Sequence, residues 1–156
     1  MRRYRKIRGR YPSVDNVLES KKMTPDEMEA SVKEEIDLLI NRIEEEKQKF
    51  SETIINSGVR YTLTYYAEGI VRDVFQQEIY KEIKNQLEKE DRPLLPVLEE
   101  FVNEQHRQLL SDHDSPKSTS AFDRAVNIAE HTARVKTYAA LDRMLSRLRT
   151  TYSGGL

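Results

Sequence analysis

A long apolar stripe at helical spacing, opened by a complete start signal, constrains the fold more than any other feature of this chain. The start signal is Thr24-Pro25-Asp26-Glu27, which joins a capping residue, a proline suited to the first helical turn and a glutamate that completes a capping box. The apolar residues that then share one narrow face are Met28, Val32, Ile36, Leu39, Ile43, Phe50 and Ile54. This pattern predicts a first helix that ends at about Asn56 or Ser57, with Gly58 as its C-cap.

The stripe of the first helix is interrupted at Glu46 and Lys47, which puts a polar layer into the seam. Such a layer is either solvated or fixes the register of the helix through a salt bridge. The outer face of this helix is strongly acidic and carries Glu34, Glu35, Asp37, Glu44 and Glu45. Because negative charge repels DNA, we expect this face to point away from any nucleic acid or to meet basic groups of another subunit.

The second predicted helix runs from Val59 to about Glu90, and its apolar stripe drifts around the axis. The first half of the stripe is formed by Val59, Leu63, Tyr66, Ile70 and Val74. The second half is formed by Phe75, Ile79, Ile83 and Leu87. A drifting stripe indicates a helix that is buried on two sides or one that changes its neighbour midway.

Another face of the second helix gathers two tyrosines and two charged residues, Tyr61, Tyr65, Glu68 and Arg72. Two interpretations fit this group. Tyrosine rings often lie partly buried with their hydroxyls at the rim of a core. The alternative is a contact surface for nucleic acid or for a neighbouring subunit.

Two further helices are expected. Proline fits the start of a helix but not its interior, so Pro93 and Pro96 mark a turn before a shorter third helix that ends near Ser111. The inner face of that helix is formed by Val97, Leu98, Phe101, Val102, Gln105 and Leu109. Ser120 caps a fourth helix that runs to about Thr151. Its apolar face is formed by Phe122, Val126, Ala129, Ala133, Ala140, Met144 and Leu148.

These stripes predict an all-α fold, with a four-helix-bundle-like body at residues 24–151 whose two N-terminal helices are long. An extended basic arm and a connector precede the body at residues 1–23, and a flexible tail follows it at residues 152–156. The sequence contains no convincing β-alternation, so we expect no sheet.

The N-terminal arm concentrates positive charge, with six basic residues among the first ten and no acid before Asp15. The net charge of the chain is −1, so the part that follows residue 10 carries −7. A basic arm on an acidic body is typical of a protein that binds a polyanion, and nucleic acid is the commonest one. The candidate nucleic-acid-binding residues are Arg2, Arg3, Tyr4, Arg5, Lys6, Arg8, Arg10 and Tyr11. A solubilising tail, a targeting signal and an arm that binds a membrane surface or an acidic protein are the alternatives.

The fourth helix regains positive charge after the acidic first helix. Its basic residues are Arg124, Arg134, Lys136, Arg143, Arg147 and Arg149. They scatter around the helical circumference instead of forming one stripe, which favours ordinary surface solvation. If the arm is not the site, then Arg134, Lys136 and Arg143 are the next candidates.

The sequence offers no catalytic or metal centre. Cysteine is absent, which excludes disulfides and thiolate ligands. The three histidines lack the Glu-x-x-His pattern of di-iron bundles, and we interpret Asp112-His113-Asp114 as a solvated turn. We find no glycine-rich phosphate loop, no nucleophile motif and no apolar run long enough to cross a bilayer. We therefore predict a protein that is not an enzyme and needs no cofactor.

The organisation of the chain resembles that of the major coat proteins of filamentous archaeal double-stranded DNA viruses, the rod-shaped and lipothrix-like viruses and their relatives. The shared features are the Arg- and Tyr-rich arm at residues 2–11, the short connector and a four-helix body of this size. The resemblance implies coat subunits, often of two related kinds, that wrap the genome into a helical nucleoprotein filament. It also implies an arm that faces DNA held in an A-like form. The expected location is the virion, with the host cytoplasm during assembly.

The acidic first helix of this chain departs from a uniformly basic coat and leaves open which helices line the DNA. The expected partners are therefore double-stranded DNA and further copies of this chain or of a related coat subunit. One alternative is a cellular nucleic-acid- or ribosome-associated helical protein. Another is a helical adaptor or scaffold whose arm binds an acidic protein.

Overall fold

The computed structural model describes residues 22–111 and 120–154, and it confirms the all-α, four-helix-bundle-like fold. The helices are α1 (Pro25–Ser57), α2 (Val59–Glu88), α3 (Leu94–Ser111) and α4 (Ala121–Ser153). No strand occurs within these two ranges. The predicted arm and the Asp112-His113-Asp114 turn lie outside the described residues.

The start of α1 and the turn after it follow the sequence signals. The backbone N–H of Glu27 donates to the Thr24 hydroxyl over 3.3 Å, and the N–H of Thr24 donates to the Glu27 carboxylate over 3.2 Å. One residue, Gly58, separates α1 from α2 and has φ 86° and ψ 159°. This backbone conformation is reserved almost entirely for glycine, so Gly58 both ends α1 and permits the reversal into α2.

The four helices alternate in direction, and their apolar core fills one half of the molecule, which we call the lower half. This half contains the N-terminal end of α1 and the C-terminal end of α4, which Arg147 joins through an ion pair with Glu35. The buried apolar residues of the core are Val32, Ile36, Ile43, Tyr80, Ile83, Leu94, Val97, Leu98, Val102, Leu141, Met144, Leu145 and Leu148. The C-terminal half of α4 and the N-terminal half of α3 thus supply most of the core.

Helix α3 has 18 residues, whereas α1 and α4 each have 33. At 1.5 Å per residue the difference of 15 residues corresponds to roughly 22 Å. Near its C-terminal end α3 lies beside the middle of α4, where the His106 ring stacks on the Tyr138 ring at 5.7 Å. The upper half of the bundle therefore consists of the α1–α2 hairpin and the first part of α4.

A layer of polar side chains lies between the apolar core and the upper half. Lys47 Nζ donates to Gln77 Oε1 over 2.8 Å, and Gln77 Nε2 donates to Glu44 Oε2 over 2.7 Å. These bonds join α1 to α2, and Gln77 is buried. The ion pairs at this gap, Lys47–Glu44 and Lys49–Glu46, lie within α1, so the bonds from this layer to α2 are the hydrogen bonds of Gln77 and not the salt bridge considered from the sequence.

Two helix ends and one stripe differ from the sequence prediction. Helix α2 ends at Glu88, and α4 continues through Tyr152 and Ser153, which we had assigned to the C-terminal tail. The Tyr152 hydroxyl donates to Glu29 Oε2 over 3.3 Å, a contact between distant parts of the chain that sequence periodicity does not reveal. The first half of the α2 stripe is largely exposed, because α3 stops before it reaches that level.

Candidate nucleic-acid interface

The predicted arm residues, Arg2 to Tyr11, lie outside the described residues, so the structure provides no geometry for them. The body has an interface candidate of its own. An open groove of about 270 Å³ lies between α1 and α4, with α2 as its floor. It is lined by Leu39, Arg42, Ile43, Glu46, Arg72, Asp73, Gln76, Tyr80, Lys136 and Ala140.

Each of the three helices brings a cation to this groove. Arg42 comes from the α1 wall, Arg72 from the α2 floor and Lys136 from the α4 wall. Arg143 extends the α4 wall, since a spacing of seven residues returns to the same side of a helix. The rise from Lys136 to Arg143 is roughly 10 Å. The groove thus presents a row of cations along its length.

Most of these cations are not neutralised by an ion pair with another described residue. Arg72 Nε lies 3.7 Å from Asp73 Oδ1. Within the ranges 22–111 and 120–154, no ion pair involves Arg42, Lys136 or Arg143. An exposed guanidinium or ammonium with no internal partner is suited to bind a phosphate oxygen.

The acids that line the groove, Asp73 on its floor and Glu46 on the α1 wall, oppose these cations only in part. Asp73 is buried, and its burial raises the pKa of the carboxyl, an effect that Arg72 opposes. Burial also raises the pKa of Tyr80 to about 12, so its phenol stays neutral. Glu46 is bound by Lys49 over 3.0 Å, which further reduces the negative charge that the groove presents.

Two exposed tyrosines continue the groove floor toward the hairpin turn. Tyr61, Tyr65 and Arg72 lie on one face of α2, at a spacing of four and then seven residues. The side chains of Tyr61 and Tyr65 are 46% and 68% exposed, and their ring centroids are 4.8 Å apart. Neither hydroxyl bonds to another side chain of the described residues. Both rings are exposed to solvent. This exposure favours the interpretation of this face as a contact surface for nucleic acid or a neighbouring subunit over that of partly buried tyrosines.

Asp37 and Glu44, two of the acids predicted for the outer face of α1, lie on the other side of that helix, whereas Glu35 faces α4 and pairs with Arg147. Asp37 accepts a hydrogen bond from Lys84 over 2.7 Å, and Glu44 accepts one from Gln77, both toward the outer side of α2. The Gln77 bond and the nearby Lys47 charge hold the pKa of Glu44 below its usual range. Helical spacing places these carboxylates well away from Arg42 around the α1 axis. Asp37 and Glu44 are therefore separated from the groove, whose own acids are Glu46 and Asp73.

The cations of α4 are less scattered around the helix axis than the sequence analysis predicts. Lys136, Arg143 and Arg147 lie on the side that faces α1, and Arg147 is bound by Glu35. Arg134 is on another side, with its guanidinium 4.9 Å from the centre of the Phe75 ring and with Nη1 3.4 Å from Gln105 Oε1. Arg134 therefore does not belong to the groove.

Sequence analysis missed Arg42 and did not separate Arg134 from Lys136 and Arg143. A signal was present in α4, where the positions of Lys136, Arg143 and Arg147 fall close together on a helical wheel. No comparable signal pointed to Arg42. Its place in the groove depends on the packing of α1 beside α4.

The described ranges contain no group of three or more His, Asp or Glu side chains arranged to hold a metal ion. None of the helices in those ranges has the length and apolar character needed to cross a membrane. Comparisons with protein-family models, with curated proteins and with solved structures gave no match.

Proposed function

We propose that this protein is a non-catalytic, structural nucleic-acid-binding protein. Its role would be that of a coat subunit that packages double-stranded DNA in a helical nucleoprotein filament, in the virion and, during assembly, in the host cytoplasm. The proposal rests mainly on one observation. Cations of three helices meet in the groove between α1 and α4, on the side of α2 that also exposes Tyr61 and Tyr65.

The chemistry of this surface fits binding that does not depend on base sequence. Arginine and lysine bind phosphate oxygens, which are the same at every base pair. An exposed tyrosine ring stacks on a base or lies against a sugar, and every nucleotide offers such a surface. A coat must cover a whole genome, so affinity without sequence preference is the property that it needs.

The arm supplies the larger share of the charge. Its six basic residues exceed the groove cations Arg42, Lys136 and Arg143 in number, and no acid interrupts them. We propose that the arm holds the phosphate backbone and that the groove and its tyrosines orient the subunit on the duplex. The acidic outer side of α1 then faces away from the DNA.

Salt dependence of duplex binding tests this division. We expect deletion of residues 1–11 to remove most of the affinity, because each neutralised phosphate contributes roughly −0.9 to the slope of log affinity against log salt. Full engagement of the six arm cations corresponds to a slope of about −5. The triple variant Arg42→Ala/Lys136→Ala/Arg143→Ala is expected to flatten the slope by up to about 3.

The matched control is Lys81→Ala/Lys89→Ala, which removes one exposed cation of α2 and one just beyond its C-terminal end, both outside the groove, and should leave the slope nearly unchanged. Circular dichroism verifies that every variant remains helical. If the arm deletion and the triple variant both bind duplex DNA like the full chain, then neither the arm nor the groove is the binding site. A full chain that does not bind duplex DNA at low salt would contradict the nucleic-acid assignment itself.

A further inference from the structure

The upper half of the bundle exposes a continuous apolar surface, which we call the upper apolar face. It covers the outer side of α2 and the first two turns of α4. The large residues on it, with their exposed fractions, are Val59 (56%), Leu63 (53%), Val74 (38%), Phe122 (74%) and Ile128 (61%). Between α2 and α4 the face sinks into a groove lined by Ala67, Glu68, Val71, Phe122, Ala125, Val126, Ile128 and Ala129.

The spacing of these residues is that of a buried face. Val59, Leu63 and Val74 recur at helical intervals on α2, and Phe122 shares the inner face of α4 with Ala129 and Ala133, which are fully buried. In most bundles such stripes are covered by a fourth helix. Here α3 ends at Ser111, so the place of the fourth helix in the upper half is empty among the described residues.

Few other residues of the same chain are suited to cover the upper apolar face. Residues 112–119, which join α3 to α4, contain no aliphatic or aromatic apolar residue. The N-terminal residues enter the body at Lys22, which lies beside Thr150 and Gly154 at the lower end. A second molecule is therefore the natural source of the missing helix.

The charge distribution permits a second copy of this chain at the upper end. Residues 25–46 of α1 contain nine acids and two bases, so two such surfaces would repel each other. Residues 47–66, which form the tip of the hairpin, contain three bases and one acid. Like-charge repulsion is thus weak at the upper end and strong along the lower part of α1.

The area of the face is that of a small specific interface. With roughly 150–250 Å² for each large side chain, the exposed fractions of these five residues correspond to on the order of 500 Å². Two such faces in contact would bury about 1,000 Å², the least that a specific protein–protein interface is expected to bury.

We infer that two copies of this chain pair through their upper apolar faces about a two-fold axis. Helices α2 and α4 of each copy contact α2 and α4 of the other, so that four helices surround the two apolar faces. Leu63 and Phe122 lie at the centre of this contact. The pairing goes beyond the proposed DNA contact, because it needs no nucleic acid and leaves the groove between α1 and α4 open.

Sedimentation velocity of the full chain without DNA, over a wide concentration series, tests the inference. The wild-type chain is expected to show a reversible monomer–dimer equilibrium. The variant Leu63→Asp/Phe122→Asp removes two large apolar groups from each copy and places carboxylates in the contact. We expect it to weaken dimerisation by at least about a hundredfold.

The matched control is Leu38→Asp, which changes a side chain that is 59% exposed on the lower part of α1, and it should dimerise like the wild type. Since all three substituted residues are exposed, circular dichroism should find every variant folded. The pairing is overturned if the wild-type chain stays monomeric throughout the series. It is equally overturned if the patch variant dimerises like the wild type or if the control loses as much affinity. None of these measurements uses DNA, so a failure of the pairing would not affect the salt-dependence test of the proposed function.

Since the chain contains no cysteine, introduced thiols locate the contact. We expect a flexible bis-maleimide to join two copies of Leu63→Cys or of Phe122→Cys into a covalent dimer and to leave Leu38→Cys monomeric. Cross-linking that is equal at all three positions would place the contact elsewhere.

Discussion

At the scale of single residues, Asp73 is the buried acid among residues 22–111 and 120–154. It is 7% exposed, and its ion-pair contact is with the neighbouring Arg72, whose Nε lies 3.7 Å away. Burial raises the pKa of the carboxyl. The folded protein therefore binds this proton more tightly than the unfolded chain, and Asp73 lowers the free energy of unfolding as the pH rises above its unfolded pKa.

We expect Asp73→Asn to stabilise the protein at neutral pH by about 1 kcal/mol, the low end of the cost of an incompletely compensated buried polar group. The difference in the free energy of unfolding between Asp73→Asn and the wild type should shrink as the pH falls toward the acid range, because the wild-type carboxyl then takes up its proton. Urea unfolding at several pH values measures the difference. Glu78→Gln, at an exposed position of the same helix, serves as the control, and a gain for Asp73→Asn that does not vary with pH would contradict this account.

At the scale of the elements, the α1–α2 hairpin turns on a single residue. Gly58 has φ 86° and ψ 159°, and its N–H donates to the carbonyl of Ile54 over 2.9 Å. No neighbouring atom lies within 4 Å of the place where a Cβ would stand, so the backbone conformation and not a lack of space demands glycine. The whole upper half, with its tyrosines and its apolar face, depends on this turn.

Gly58→Ala is expected to lower the free energy of unfolding by roughly 1–3 kcal/mol, the usual cost of a side chain in a region of backbone space reserved for glycine. The same substitution at Gly69 provides the control. Gly69 is helical, and a Cβ there would lie 3.5 Å from Phe50 Cζ, an ordinary contact. Because alanine favours a helix interior, Gly69→Ala should be neutral or stabilising by up to about 1 kcal/mol. Denaturant unfolding that ranks the two variants in the opposite order would show that the turn is not strained.

At the scale of the whole molecule, three surfaces of different chemistry occupy different parts of the body. The outer side of α1 is acidic, the groove between α1 and α4 carries cations, and the upper half exposes the apolar face. Under the proposed function, the groove would bind a polyanion and the apolar face would contact a second subunit. This separation is what repeated contacts along a duplex require.

We expect the full chain mixed with duplex DNA at low salt to form regular filaments in electron micrographs. The same chain without DNA, and the chain that lacks residues 1–11 in the presence of DNA, should form none. The reason is that the acidic bodies carry like charge and are linked through the polyanion that the arm neutralises. A full-length chain that gains no regular assembly in saturating DNA counts against the coat role. A nucleic-acid-associated protein of another kind would instead bind the DNA without forming filaments.

The sequence by itself determined the positions of the helices and the chemistry of their ends. The capping box at Thr24, the glycine at position 58 and the cap at Ser120 all occur where the sequence placed them. The core positions of the lower half, such as Ile36, Ile83 and Met144, also follow from helical periodicity. These features were predictable because a helix forms through contacts between residues at most four positions apart.

Only the tertiary structure decided which apolar stripes are buried and which cations meet. The stripe through Val59, Leu63 and Val74 has the spacing of a core face, yet it is exposed because α3 stops at Ser111. Arg42 and Lys136 stand 94 positions apart in sequence and share a groove because α1 and α4 both pack on α2. Burial and electrostatic surroundings depend on which elements become neighbours and how far each extends, and no local pattern in the chain encodes that.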